Sequence, residues 1–177
     1  MKKILTILIF MIGFNANAGL ITMTVDEADV EVGSAVTVSL IATSFEEFDL
    51  FDFDFNFDDS LFTYDPLSLQ SDLPLDDSGF GLGLLVSALS DHLAMSFFGF
   101  TPFPGGDFLL AKFELIAQAP GKSDFYLADS SFFGSSGLLI VDTSTTNSVE
   151  AATSVPEPSS WLLILMPILL LGARKLK

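Results

Sequence analysis

The run Phe51-Asp52-Phe53-Asp54-Phe55-Asn56-Phe57-Asp58 constrains the fold more tightly than any other segment of the chain. Apolar and polar residues alternate through all eight positions, and a β-strand turns successive side chains to opposite faces. One face therefore carries four phenylalanines and the other carries Asp52, Asp54, Asn56 and Asp58. Burying each ring is worth roughly 1.5–3 kcal/mol. A slip of one residue would bury the carboxylates instead, so the register is firmly set.

Similar short runs recur at 20–25, 35–43, 61–64, 83–88, 93–98, 108–117, 124–128, 138–141 and 148–152. Turn-forming clusters separate them: Val32-Gly33-Ser34, Asp58-Asp59-Ser60, Asp76-Asp77-Ser78-Gly79, residues 102–106, and Pro120-Gly121-Lys122. No helical period, tandem repeat or internal linker interrupts the pattern. The spacing predicts an all-β, antiparallel sandwich over 19–152. The chain's 19 phenylalanines, nearly all in this region, supply apolar surface that a disordered chain lacks. Residues 142–154, rich in Thr and Ser, read as a strand that passes into a tether.

Both ends read as sorting elements. Residues 1–18 have the order of a signal peptide: Lys2-Lys3, an apolar stretch over 4–14, then Ala16-Asn17-Ala18, which predicts cleavage by signal peptidase before Gly19. The region 153–177 contains Val155-Pro156-Glu157-Pro158-Ser159, an uncharged segment over 159–173, and Arg174-Lys175-Leu176-Lys177. The two prolines keep the backbone extended, so a helix can begin only after Pro158. Fifteen residues as a helix span roughly 22 Å, short of the roughly 30 Å hydrocarbon core, and Pro167 weakens the segment further. The basic end can snorkel, which leaves a marginal anchor. With both segments inserted, the positive-inside rule puts both ends in the cytoplasm and the body in the periplasm.

The tail closely resembles the PEP-CTERM sorting signal of exopolysaccharide-making Gram-negative bacteria. That resemblance implies processing near Pro156-Glu157-Pro158 by exosortase, a membrane-embedded cysteine protease, and delivery to the cell surface or extracellular matrix. The alternatives are an ordinary single-span anchor and a buried C-terminal helix.

Over residues 19–158, Lys112 and Lys122 are the only Lys or Arg against 23 acidic residues, a net charge of about −21. Such a surface repels nucleic acid and anionic lipid and attracts cations. The chain contains no cysteine, which excludes disulfides, thiolate metal sites and a cysteine nucleophile.

A second resemblance covers the body. Glu31-Val32-Gly33 before a strand, then Phe53-Asp54-Phe55-Asn56-Phe57-Asp58 and Leu61-Phe62, are similar to the first half of a cohesin-type domain. The strand over 106–117, followed by Pro120-Gly121-Lys122-Ser123 and another strand, resembles the second half. This implies a nine-stranded jelly-roll sandwich related to carbohydrate-binding modules, and a dockerin-like partner. It assigns no contact residue.

Three candidate sites follow from residue type. Asp52, Asp54, Asn56 and Asp58 offer oxygen ligands for weak calcium binding. They match only the first half of an EF-hand loop, since Phe57 stands where that loop has glycine and Thr63 where it has glutamate. Phe98, Phe100 and Phe103, dense beside the 102–106 turn, form a candidate ligand patch. His92, the only histidine, follows Ser90-Asp91, but adjacency in sequence does not make a catalytic triad.

The expectation is an exported, noncatalytic protein that binds exopolysaccharide or a surface protein. A cohesin-like receptor for one specific partner and a secreted polysaccharide hydrolase are the alternatives. Trp161 lies in the tail, so a sugar platform in the body has only Tyr64, Tyr126 and phenylalanines to draw on.

Overall fold

The alternation of Phe51 to Asp58 sets the architecture: a strand with one greasy face needs a second layer to cover it. The computed structural model describes residues 19–76, 80–135, 137–143 and 145–153. The signal segment with Ala16 and Ala18, and the tail with Val155, Pro156, Glu157, Pro158, Arg174 and Lys175, lie outside the described residues. So do Asp77, Ser78 and Gly79 of one expected turn.

In chain order the strands are β1 (Gly19–Val25), β2 (Asp29–Glu31), β3 (Ala35–Phe45), β4 (Phe48–Asn56), β5 (Phe62–Gln70) and β6 (Gly83–Ala88). They continue with β7 (His92–Phe103), β8 (Gly106–Ala117), β9 (Gly121–Gly134), β10 (Gly137–Leu139), β11 (Val141–Asp142) and β12 (Thr146–Ala152). The first sheet has the order β11-β1-β3-β8-β5, and the second β2-β12-β9-β4-β7-β6 with β10 on β9.

The all-β sandwich is as expected; the count of nine strands and the purely antiparallel pairing need correction. β1 pairs with β11, and β12 with β2, in parallel. The expected strand over 138–141 is split, because β10 stays with β9 while β11 crosses to lie beside β1 in the other sheet. β2 escaped sequence reading because Asp29-Val30-Glu31 offers a single apolar residue and is a strand only through its pairing with β12.

Between the sheets lies a lattice of phenylalanine rings. Phe51 is fully buried, with ring centroids of Phe132 at 5.1 Å, Phe53 at 5.4 Å, Phe97 at 5.7 Å and Phe48 at 5.8 Å. Such pairs add about 0.5–1.5 kcal/mol each beyond area burial.

Irregularities extend three strands beyond their expected ends. On β9, Ser131 lies opposite Asp52 and Ala128 opposite Asp54, so the strand bulges at Asp129, whose φ is 49°. On β7 the register jumps from Phe98 opposite Leu50 to Phe103 opposite Phe48, which lifts 99–102 out of the ladder. β5 tolerates Pro66 because it is an edge strand with a break between Asp65 and Gln70.

The two ends of the described chain leave opposite poles. Gly19 sits against Phe45 and donates its N–H to the carbonyl of Ile140, near the ends of β3 and the start of β8. Ala152 pairs with Glu31, and its carbonyl accepts from the Val32 N–H at the other pole.

Candidate functional site

Period-two alternation decides which rings leave the core. Phe97 on β7 and Phe132 on β9 flank Phe51 on β4, and all three point inward. One residue along each strand, Leu50, Phe98 and Phe133 must therefore point outward, and they too are register partners. Each stays 39–40 % exposed. Leu138 on β10 lies opposite Phe133 and lengthens the row. The result is an apolar band across four adjacent strands, about 14 Å at the usual strand spacing. A contiguous exposed band of this kind marks a binding surface more often than scattered single residues do.

The band ends in a cleft. Where β7 leaves the ladder after Phe98, Phe100 swings into solvent and is 81 % exposed. A cavity of about 360 Å³ opens beside it, walled by Pro74, Leu82, Phe98, Phe100, Pro102 and Phe103. Pro74, Pro102 and Pro104, each with a fixed φ, stiffen its wall. Of the expected ligand patch, Phe98 and Phe100 are on the surface. Phe103 lines the cleft but leans inward, its ring 4.9 Å from Phe108 and 5.4 Å from Phe48.

The acidic candidates occupy the same outer face. Asp52 lies opposite Ser96 and Ser131, Asp54 opposite Ala94 and Ala128, and Asn56 opposite His92 and Tyr126. Asp58 is beyond the strand, where its Oδ1 accepts from the Ser60 N–H at 2.9 Å and the Ser60 hydroxyl at 2.6 Å. The four are thus strung along the outer face of β4 and past its end rather than gathered around a point. Among the described residues no three His, Asp or Glu side chains form a group able to hold a metal ion.

His92 sits between two carboxylates, with Nδ1 at 2.7 Å from Asp91 Oδ1 and Nε2 at 3.7 Å from Asp54 Oδ1. Neither ring nitrogen is hydrogen-bonded to a serine hydroxyl among the described residues. The residues missed in the sequence are Leu50, Phe133 and Leu138. The doublets Phe97-Phe98 and Phe132-Phe133 carried the missing signal, since two adjacent rings on a strand cannot both be buried on one face.

No family model matches the sequence, and no curated protein matches it. Solved structures do. CaCohA2 from Clostridium acetobutylicum superposes with a TM-score of 0.62 at 17% identity, covering 78% of this chain and 94% of its own. A non-cellulosomal cohesin from Archaeoglobus fulgidus gives 0.58 at 10% identity, covering 77% and 92%. The sixth cohesin of scaffoldin B from Acetivibrio cellulolyticus, solved in complex with a Cel5 dockerin, gives 0.55 at 17% identity, covering 75% and 99%. At these identities the likeness concerns the fold: the body is a cohesin-like β-sandwich.

Proposed function

We propose that this chain is an exported, noncatalytic docking module that seats a protein partner on the apolar band of its second sheet. The band of Leu138, Phe133, Leu50 and Phe98 carries this reading. Its residues stand on hydrogen-bonded strands, so seating a partner orders little backbone. The Phe100 cleft beside it offers an anchor pocket for one large apolar side chain, the usual form of an interface hot spot.

Several further observations support the reading. The same fold is seen in a cohesin bound to a dockerin. Asp52 and Asp54 flank the band, and the body's charge of about −21 favours a partner whose apolar ridge is bordered by Lys and Arg. The only histidine is held by carboxylates instead of activating a hydroxyl.

The ends of the chain suggest where docking takes place. We infer export by the signal peptide, and sorting to the cell surface or exopolysaccharide matrix by exosortase acting at Pro156-Glu157-Pro158. While the tail is retained, the described chain meets it at Ala152, the pole opposite Phe100. The band and cleft would then face away from the membrane.

Site-specific photocrosslinking in the producing cells tests the docking. A photoreactive residue at Leu50 should link to one protein species, and Phe98→Asp should abolish the link. The same residue at Thr24, on the other sheet, should give none. Equal yields from Leu50 and Thr24 would sink the idea. Intact mass of the recovered protein tests the sorting: a product beginning at Gly19 and ending between Pro156 and Ser160 is expected.

A further inference from the structure

Six residues beyond Leu50 on β4, about 20 Å along the strand, Asn56 belongs to a second and chemically different cleft. It lies opposite Tyr126 on β9 and His92 on β7. A cavity of about 260 Å³ opens there, bounded by Asn56, Asp58, Asp91, Lys122, Asp124 and Tyr126. We propose that it is a carbohydrate site that takes one or two sugar rings of a neutral polysaccharide.

The cleft combines an open aromatic face with polar groups that the fold leaves unused. Tyr126 is 45 % exposed and stacks on no other ring among the described residues. The Asn56 Nδ2 is closed off from solvent and lacks a hydrogen-bond partner, a rare and costly condition for a buried amide. Lys122 makes no ion pair although three aspartates border the same cavity; the ion pairs among the described residues both belong to His92. The Asp124 carboxylate accepts no hydrogen bond there either. Asp58 and Asp91 each commit one oxygen, to Ser60 and to His92, and keep the other.

The chemistry selects among ligands. Phosphates and other anions are repelled by the three carboxylates. The absence of three converging metal-ligating side chains among the described residues argues against a coordinated cation. A purely apolar ligand would strand Lys122 and the three carboxylates. A sugar ring answers all of them: each hydroxyl both donates and accepts, and its C–H face packs on tyrosine, whose ring tolerates a wet setting. The cavity is smaller than the roughly 300–1,000 Å³ clefts of drug-sized ligands, and suits a short stretch of polymer. This site is separate from the docking band and does not depend on it.

Saturation-transfer-difference NMR tests the assignment on the chain purified from cells that export it, in detergent if the tail is retained. The probes are the methyl glycosides of glucose, galactose, mannose and N-acetylglucosamine, with inorganic phosphate as the anionic comparison. At least one glycoside should receive saturation. Its Kd should rise about tenfold, or 1.4 kcal/mol, in Tyr126→Ala and in Lys122→Gln, and stay unchanged in Thr24→Ala. Lys122 is on the surface, so that variant carries the test even if Tyr126→Ala fails to fold. Silence from all four glycosides, competition by phosphate, or full affinity in Lys122→Gln would overturn the proposal. None of these outcomes bears on crosslinking from Leu50, so the two sites stand or fall separately.

Discussion

The rings of Phe98 and Phe100 meet edge to face outside the core, 5.4 Å between centroids and 69° between planes. β7 leaves its ladder with β4 immediately after Phe98. The two residues are two apart on β7, so alternation puts both rings on the outer face, and the break in the ladder leaves Phe100 uncovered by β4. Exposure without a structural task is what a binding anchor needs.

Phe100→Ser should therefore change unfolding free energy by less than about 0.5 kcal/mol and should reduce crosslinking from Leu50. Phe51→Ala, in the middle of the ring lattice, should cost about 3–5 kcal/mol, a large part of the stability of a domain without disulfides. Urea denaturation measures both. Comparable losses would make Phe100 a structural ring and remove it from the interface.

The turn into β8 depends on a glycine for two reasons. Gly105 has φ at 73°, and a Cβ there would lie 2.5 Å from the Phe45 carbonyl oxygen and 2.6 Å from that of Glu46. Gly33 has a similar φ of 95° but open space around it. Gly105→Ala should destabilise by more than about 1 kcal/mol, and Gly33→Ala by less. Equal losses would mean that backbone strain alone, without the clash, sets the cost.

What the sequence disclosed follows local pattern, and what it hid follows long-range pairing. Phe51 to Asp58 announced both its strand and its buried face, because alternation is a local property. The Gly33 and Gly121 turns were legible for the same reason. Alternation carries β9 only as far as Ala128, because Asp129-Ser130-Ser131 interrupts the apolar pattern. The structure uses Asp129 in a bulge instead and carries the strand on to Gly134. That second half of β9 supplies Phe133, so the apolar band could not be assembled without it. Tyr126 was visible as a residue, but its place beside Asn56 depends on the pairing of β4 with β9.

Acid should reveal the hydrogen bonds at Asp26. Burial pushes its carboxyl up, but hydrogen bonds from Thr37, including its N–H at 2.7 Å, and from the Glu27 N–H at 3.0 Å outweigh that and hold it below the usual value. A group whose folded pKa is depressed stabilises the native state above its unfolded pKa, and that contribution fades as pH falls through the folded pKa. Asp26→Ala should therefore melt at lower temperature than the parent at pH 7, with the gap shrinking below about pH 4. A gap that is constant from pH 7 to pH 3 would show that the loss is packing and not charge.

Cations should stabilise the body through its charge as a whole. Asp52 and Asp54 share a face of β4 at alternate positions, while one oxygen of Asp58 is already committed to Ser60. Their mutual repulsion is relieved by any salt, since the Debye length is about 10 Å at 0.1 M ionic strength. The weak calcium stabilisation expected from the acidic surface should accordingly be matched by sodium chloride at equal ionic strength. The double variant Asp52→Asn, Asp54→Asn should melt slightly higher than the parent and respond less to either salt. Thermal melts in calcium, sodium and chelator decide the matter. A saturating rise at submillimolar calcium that the double variant loses would instead establish a coordinated ion at Asp52 and Asp54.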